Sequence, residues 1–504
     1  MEGTRICFKD SYGTVRWTGN IRNKEGLWIG IEWDDHEKGK HSGCFEGIQY
    51  FQTRFPNHGS FLKEQVFISD QTPGCSIEYA IFHKYADWNE LDLSETYVPT
   101  VKNQKKIIEL LGVEKIMKKQ EKVENQKEIA LQGCFVISIT PGFGRKLETC
   151  ETLRLDQNLL NSWDQVSEVL EELPQLRTLN LSNNRLEFPL TNPRTSALSA
   201  LILNNMALTC SDLLPILPQL PSLQELHLYK NFCNDFNIPL SLLENLTLLN
   251  LEDNKISDWA SVSNQCSNLE NLEKLILNEN PIGHIVYQGG FRKLTALSVE
   301  NCNLCEWTSV DELGKFPSQI KEVRIARNPA LGQGSSLTLL RFNVIARIGS
   351  LQMLSGSAVR VQERIEAERF FLRSNVDVPG IDASVRWQEL VQKHGPPSEI
   401  SCKVVNEKDN LAEQTLNSNT VTILLRSLAK ASAGKELKKK LVLNMSVADL
   451  KNMCSKLFGL KNTHIKLSFR DPNSIMPEFF EDNLKSIGYY ILSDNGEIWV
   501  EDLN

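Results

Sequence analysis

The chain has 504 residues, 23% of them charged and 41% hydrophobic, with a formal net charge of -8 at pH 7; this is ordinary globular composition with room for three or four domains. A net negative chain lacks the basic footprint that nonspecific binding to nucleic acid or to an anionic membrane requires. The sequence shows no apolar N-terminal leader and no run of about 18 apolar residues, so the expectation is a cytoplasmic chain that neither spans a membrane nor is secreted. Its 12 cysteines follow no regular spacing and read as reduced, largely buried thiols.

Residues 1–70 are rich in glycine and aromatic residues. Short β-prone runs lie between turn signals: Gly13-Thr14-Val15-Arg16-Trp17, Leu27-Trp28-Ile29-Gly30-Ile31-Glu32-Trp33 and Ile48-Gln49-Tyr50-Phe51. The pattern predicts a small, strongly bent all-β barrel, with Trp17, Trp33 and Tyr50 in its core. The spacing around Lys40 fails the Gly-x-x-x-x-Gly-Lys-Ser/Thr rule of a nucleotide loop.

The order of these pieces resembles a CAP-Gly domain across nearly the whole module. The carrying motifs are Gly13-Thr14-Val15-Arg16, Gly26-Leu27-Trp28-Ile29-Gly30-Ile31-Glu32, Gly47-Ile48-Gln49-Tyr50-Phe51 and Gly59-Ser60-Phe61. Gly39-Lys40-His41-Ser42-Gly43 stands at the family's Gly-Lys-Asn-Asp-Gly loop, with His41 and Ser42 in place of Asn and Asp. The resemblance implies a groove that captures an acidic, aromatic-ended C-terminal tail such as that of α-tubulin. A terminal carboxylate beside glutamates calls for backbone N–H donors and a cation, here the 39–43 loop and Lys40. The terminal aromatic ring calls for aromatic walls, here Trp28, Phe45, Phe51 and Phe61.

Residues 71–149 read as a connector. Apolar residues from Ile107 to Leu131, interleaved with Lys and Glu, give an interrupted amphipathic helix, and residues 134–139 a capping strand. From 150 to 332 a single pattern recurs eight times. Asn158, Asn184, Met206, Asn231, Asn254, Asn280, Cys302 and Asn328 follow one another at steps of 26, 22, 25, 23, 26, 22 and 26 residues. Each is preceded by Leu-x-Leu or a variant, from Leu153/Leu155 to Val323/Ile325. This is the leucine-rich-repeat pattern. Two-residue alternation turns both apolar residues inward on a short strand, the Asn satisfies backbone groups of the turning chain, and neighbouring repeats stack into a solenoid.

With those leucines inward, Arg154, Asp156, Asn180, Ile202, Asn204, His227, Tyr229, Leu248, Asn250, Lys274, Ile276, Asn278, Glu300 and Arg324 are expected on the concave face. Exposed Ile202, Tyr229, Leu248 and Ile276 among polar neighbours predict a protein-binding surface. Cys302 and Cys305 lack the second pair that a structural zinc needs, and His227 and His284 have no partners at ligand spacing, so no metal site is expected. The period turns helical over 337–372, the expected cap of the solenoid, with helix and linker to 419.

Residues 420–504 read β-β-α-β, with Ser446 as helix cap and Asp449 three residues on. The order resembles a ubiquitin-like fold. It departs from ubiquitin in the absence of a diglycine at Asp502-Leu503-Asn504 and in Ser468, which stands at an apolar position of ubiquitin's interaction patch.

The expected architecture is therefore a multidomain chain: a small all-β CAP-Gly barrel (1–70), a connector (71–149), an α/β leucine-rich-repeat solenoid (150–332), a helical cap and linker (333–419) and an α+β ubiquitin-like (β-grasp) domain (420–504). Modules of these kinds in this order resemble the tubulin-folding cofactor E family. That resemblance implies a cytoplasmic, cytoskeleton-associated, non-catalytic chaperone without a cofactor, binding α-tubulin and working with tubulin-folding cofactors D, C and B on the α/β-tubulin heterodimer. Two rivals stand beside it: a microtubule-associated adaptor, which would bring a long coiled coil or basic Ser/Pro-rich arms, and an enzyme, which would bring a catalytic constellation.

Overall fold

A computed structural model describes residues 2–85, 97–99, 105–107, 123–187, 189–191, 196–329, 337–397, 420–428, 435–443, 445–460, 465–470, 478–480, 483, 486–487 and 496–502. They fall into two units, Met1–Lys255 and Ile256–Asn504, and each is taken by itself.

The first unit opens with the barrel. Strands β1 (Arg5–Phe8), β2 (Ser11–Gly19), β3 (Trp28–Trp33), a short β4–β5 hairpin (Cys44–Phe45 and Ile48–Gln49), β6 (Gly59–Lys63) and β7 (Gln71–Thr72) are joined in the order β6-β3-β2-β1-β7, with the hairpin apart. Alternation decides the faces. Ile29, Ile31 and Trp33 of β3 enter the core with Ile6, Phe8, Val15 and Phe67, so Trp28, Gly30 and Glu32 face away from it. A register shift between Val15 and Trp17 places Trp17 opposite Gly30, and Gly30 lies in turn opposite Phe61. The expected core role thus holds for Trp33, while Trp17 and Tyr50 are half-buried on the other face.

The repeats begin earlier than the asparagine pattern indicated. Glu128–Ala130 pairs in parallel with Thr152–Arg154, Ile129 opposite Leu153. Ile129-x-Leu131-x-x-Cys134 is the same motif with Cys134 at the Asn position. The strand expected over 134–139 exists as Val136–Ser138, but it pairs with Cys75–Ser76. Most of the expected connector helix lies outside the described residues; within them, Lys105–Ile107 is a strand paired with Tyr97–Pro99 rather than helix. Parallel strands then follow at Thr178–Asn180, Ala200–Ile202, Glu225–His227 and Leu248–Asn250, in a register that stacks Leu153, Leu179, Leu201, Leu226 and Leu249. In the second unit Lys274–Ile276, Ala296–Ser298, Glu322–Arg324 and Met353–Leu354 pair with one another in parallel.

Every inward residue of the eight Leu-x-Leu pairs is at most 1% exposed. The repeat asparagines close the turns. Asn231 accepts from the N–H groups of Met206 and Leu208 at 3.0 Å and donates to the Leu203 carbonyl at 2.8 Å, and Asn328 bridges Leu304, Val299 and Ile325 in the same way. Cys302 performs part of this role, its thiol donating to the Leu277 carbonyl at 3.3 Å. Step length reads out as secondary structure. The three 26-residue steps hold the helices Trp163–Glu172, Trp259–Cys266 and Thr308–Leu313, whereas the 23-residue step holds only the 3-10 turn Leu240–Leu242. Three or four added residues are about one helical turn.

After the repeats of the second unit come the helices Leu337–Arg347, Val361–Ser374 and Val385–His394, which enclose Ala346, Phe371, Leu372, Trp387 and Leu390. Described strands between residues 420 and 502 form a five-stranded β-grasp sheet. Thr420–Ser427 pairs antiparallel with Glu436–Val442 and parallel with Glu497–Asp502, which pairs with Ile465–Arg470. The helix Val447–Phe458 buries Val447, Leu450, Cys454 and Phe458 against this sheet. It is capped by Ser446, which accepts from the Asp449 N–H at 3.0 Å, and it ends at Gly459 with φ +71.

Candidate functional site

On the outward face of β3 the missing side chain of Gly30 leaves a slot between Trp17 and Phe61, and Phe51 fills it. Phe51 lies in a socket of three glycines. A Cβ on Gly30 would come within 2.6 Å of Phe51 Cδ1, one on Gly43 within 2.9 Å of Cδ2 and one on Gly59 within 3.1 Å of Cε2. Around this ring stand Phe61 at 5.3 Å and His41 at 6.2 Å, with Trp17, Tyr50 and Phe61 meeting edge to face at 5.0 to 5.9 Å. One step along the same face lie Trp28 and Lys63, opposite each other in the register. The Lys24 ammonium sits 4.8 Å from the Trp28 ring and 4.0 Å from Phe45, and Lys63 5.7 Å from Trp28. The face is a cluster of aromatic rings with cations at one end. Trp17, Tyr50, Lys24 and Lys63 were not among the groove residues expected from sequence. Lys63 could have been found from its spacing of two from Phe61; Lys24 sits in a turn and gives no periodic signal.

The 39–43 loop is held against the barrel by its own backbone. The N–H groups of Lys40 and His41 donate to the Gly59 carbonyl at 2.8 and 3.2 Å, and the Gly59 N–H donates to the His41 carbonyl at 2.6 Å. The Gly43 N–H donates to His41 Nδ1 at 3.0 Å, and the Ser42 hydroxyl accepts from the Asn57 N–H at 3.0 Å. What the loop can offer a carboxylate is then the exposed Lys40 ammonium and the N–H groups of Gly39 and Ser42. Burial, and after it the Lys40 charge, hold the His41 imidazole below its ordinary pKa. The ring is therefore neutral near pH 7, with Nδ1 as acceptor.

The concave face differs from expectation. Ile202 and Ile276 are 4% and 7% exposed: each is the last residue of its strand, between the two inward leucines of its repeat, where side chains of neighbouring strands about 4.8 Å apart crowd together. Arg154 and Arg324 are buried too and are engaged internally, Arg154 by Gln132 and Asp156, Arg324 by Glu322. In the first unit a hydrogen-bonded ladder runs from Arg154 through Asp156, Asn180, Ser182 and Asn204 to the Tyr229 N–H. His227, Tyr229 and Leu248, and in the second unit Lys274, are half-exposed.

Within the first unit the barrel is docked on the repeats. Arg16, from the Gly-Thr-Val-Arg strand, binds Glu32 and makes a bidentate pair with Glu187. Arg5, 1% exposed, makes a bidentate pair with Asp34, and Asp34 lies 3.8 Å from Arg185. These arginines hold the Asp34 carboxyl below its usual range despite its burial. Arg54 donates to the Ala207 carbonyl at 3.2 Å, Asn161 to the Gly3 carbonyl at 2.9 Å, and the rings of Phe55 and Phe232 are 5.2 Å apart. A cavity of about 20 Å³ remains in this seam, room for about one water.

Among the described residues, no group of three or more His, Cys, Asp or Glu side chains is arranged to hold a metal ion. No described helix is long and apolar enough to cross a membrane.

Comparison with known proteins agrees with this architecture. The family model of the CAP-Gly domain matches residues 2–66. The chain is 29% identical to tubulin-specific chaperone E of Danio rerio over 99% of its own length and 98% of that protein's, and 29% identical to its Homo sapiens counterpart over 98% and 97%. A solution structure of the C-terminal ubiquitin-like domain of mouse tubulin-specific chaperone E aligns with 17% of this chain and 87% of that domain, at 18% identity and a TM-score of 0.16. The likeness to tubulin-specific chaperone E thus runs the length of the chain.

Proposed function

We propose that this protein is a non-catalytic tubulin chaperone that grips α-tubulin at two places: the C-terminal tail in the barrel's groove and the folded body against the repeats. The observation that carries the reading is the aromatic face around Phe51 with lysines beside it. Its aromatic walls around Phe51 suit a terminal aromatic ring, and Lys24, Lys40 and Lys63 suit the carboxylates that precede and end such a tail. Hydrogen bonds to charged groups contribute about 1.5–3 kcal/mol each before ordering costs. A tail of three residues alone therefore gives modest affinity.

The second contact falls to half-exposed repeat residues such as Tyr229 and Leu248. They belong to the same unit as the groove, so engaging both sites raises avidity by about 10²–10⁴-fold. The full-length likeness to tubulin-specific chaperone E supports a place in the cytoplasm beside tubulin-folding cofactors D, C and B, assembling or dissociating the heterodimer. The test is titration of the full chain and its Lys40→Ala variant with an acidic, aromatic-ended tail peptide. The variant should bind more weakly while the barrel stays folded; equal binding removes Lys40 from the site.

A further inference from the structure

The stretch between Phe51 and Gly59 has no strand or helix of its own, yet both its ends belong to the groove. Phe51 fills the glycine socket, and Gly59 carries the Lys40–His41 loop through three backbone hydrogen bonds. Its backbone is bonded at the Arg54 and Asn57 N–H groups and at the His58 carbonyl, and between those points its shape depends on what its side chains touch. The middle of this one touches the solenoid. Phe55 packs on Phe232 and Arg54 bonds the Ala207 carbonyl. The Arg54 N–H is held by Glu32, the carboxylate that shares Arg16 with Glu187. From Phe55 the contacts run on to the ring of His58, 5.3 Å away, whose Nδ1 lies 2.9 Å from the Trp33 carbonyl and whose neighbour is Gly59.

From this geometry we infer that the repeats set the shape of the tail groove: Glu187 and Phe232 are positioning residues for a ligand they never touch. Loss of Phe232 frees the middle of the 51–59 segment. Loss of the Glu187 charge leaves Arg16 to Glu32 alone and loosens the hold on the Arg54 N–H. Both changes reach the groove floor at Phe51 and the loop anchor at Gly59. The inference rests on the tail-capture reading and adds to it that a client body pressing on the repeats and a tail in the groove act on one connected element.

The test uses the full chain with Phe232→Ala and Glu187→Gln. Leu249→Ala, a buried repeat leucine, serves as the control for lost stability alone. Affinity for an acidic, aromatic-ended peptide should fall about 2- to 30-fold in the two seam variants and stay at the wild-type value in the control. The His41 ring resonances should shift in the seam variants only. Unchanged affinity with unmoved His41 resonances, or an equal loss in the Leu249 control, overturns the inference. A wild-type chain that binds no peptide defeats the tail-capture reading instead. The His41 resonances then still decide whether the repeats shape the loop, a shift supporting the inference and its absence overturning it.

Discussion

Substituting Gly30 by alanine adds one methyl group to the groove floor, and the structure leaves it nowhere to go. The new Cβ would lie 2.6 Å from Phe51 Cδ1, an overlap of about 0.9–1.4 Å against the usual carbon–carbon separation. Phe51 cannot relieve the clash by a small shift, because Gly43 and Gly59 already flank its other edges; it must leave the socket. Overpacking of this kind costs about 1–3 kcal/mol. The free protein escapes the strain by displacing Phe51, so a tail that needs the ring in place must restore it. Tail-peptide affinity of the full chain should then fall by about 5- to 150-fold, the Boltzmann equivalent of that strain. Adding Phe51→Leu, which trims the ring edge that clashes, should recover part of the loss, giving a favourable coupling between the two positions. Isothermal titration of the wild type, both single variants and the double variant measures this. A Gly30→Ala protein with wild-type affinity would refute the groove assignment.

Three further outcomes follow from named contacts. Asn231→Ala strands the Met206 and Leu208 N–H groups and the Leu203 carbonyl in the repeat core; at about 1–3 kcal/mol each the loss is at least about 3 kcal/mol. It is read as faster hydrogen exchange at those two amides, and a loss below about 1 kcal/mol contradicts the turn-closing role of Asn231. His41 titrates below the ordinary histidine value, so as pH falls the unfolded chain takes up its proton first. The stability contributed by neutral His41 is then complete above about pH 6.5 and is lost as pH falls through its lower native pKa; an NMR titration with a midpoint at or above 6.5 contradicts this. Tyr229→Ala should weaken binding to tail-less α-tubulin without changing the melting temperature, and unchanged binding would take the repeats out of the client contact.

Much of the architecture was legible because a leucine-rich repeat writes its geometry as a period. The inward pairs and the asparagine that closes each turn recur whatever lies between. The extra strand at Glu128–Ala130 escaped because Ile129 and Leu131 sit among Lys and Glu, and Cys134 disguises the Asn position. The exposure expected of Ile202 and Ile276 failed because an outward position on a curved sheet can still be covered by its neighbours. In the groove, the resemblance to a CAP-Gly domain pointed to Phe51 and Phe61. Trp17 joins them only because a bulge after Val15 changes its face, and no periodicity shows a bulge. The pair of Arg16 with Glu187 joins residues 171 positions apart. Nothing local in either motif carries that information.

The account depends most on whether the groove holds the end of α-tubulin while the repeats hold its body. The most direct measurement compares binding of the full chain to α-tubulin with and without its terminal aromatic residue. Tight binding to the complete client and markedly weaker binding to the trimmed one is the predicted result; equal affinity for both would contradict it.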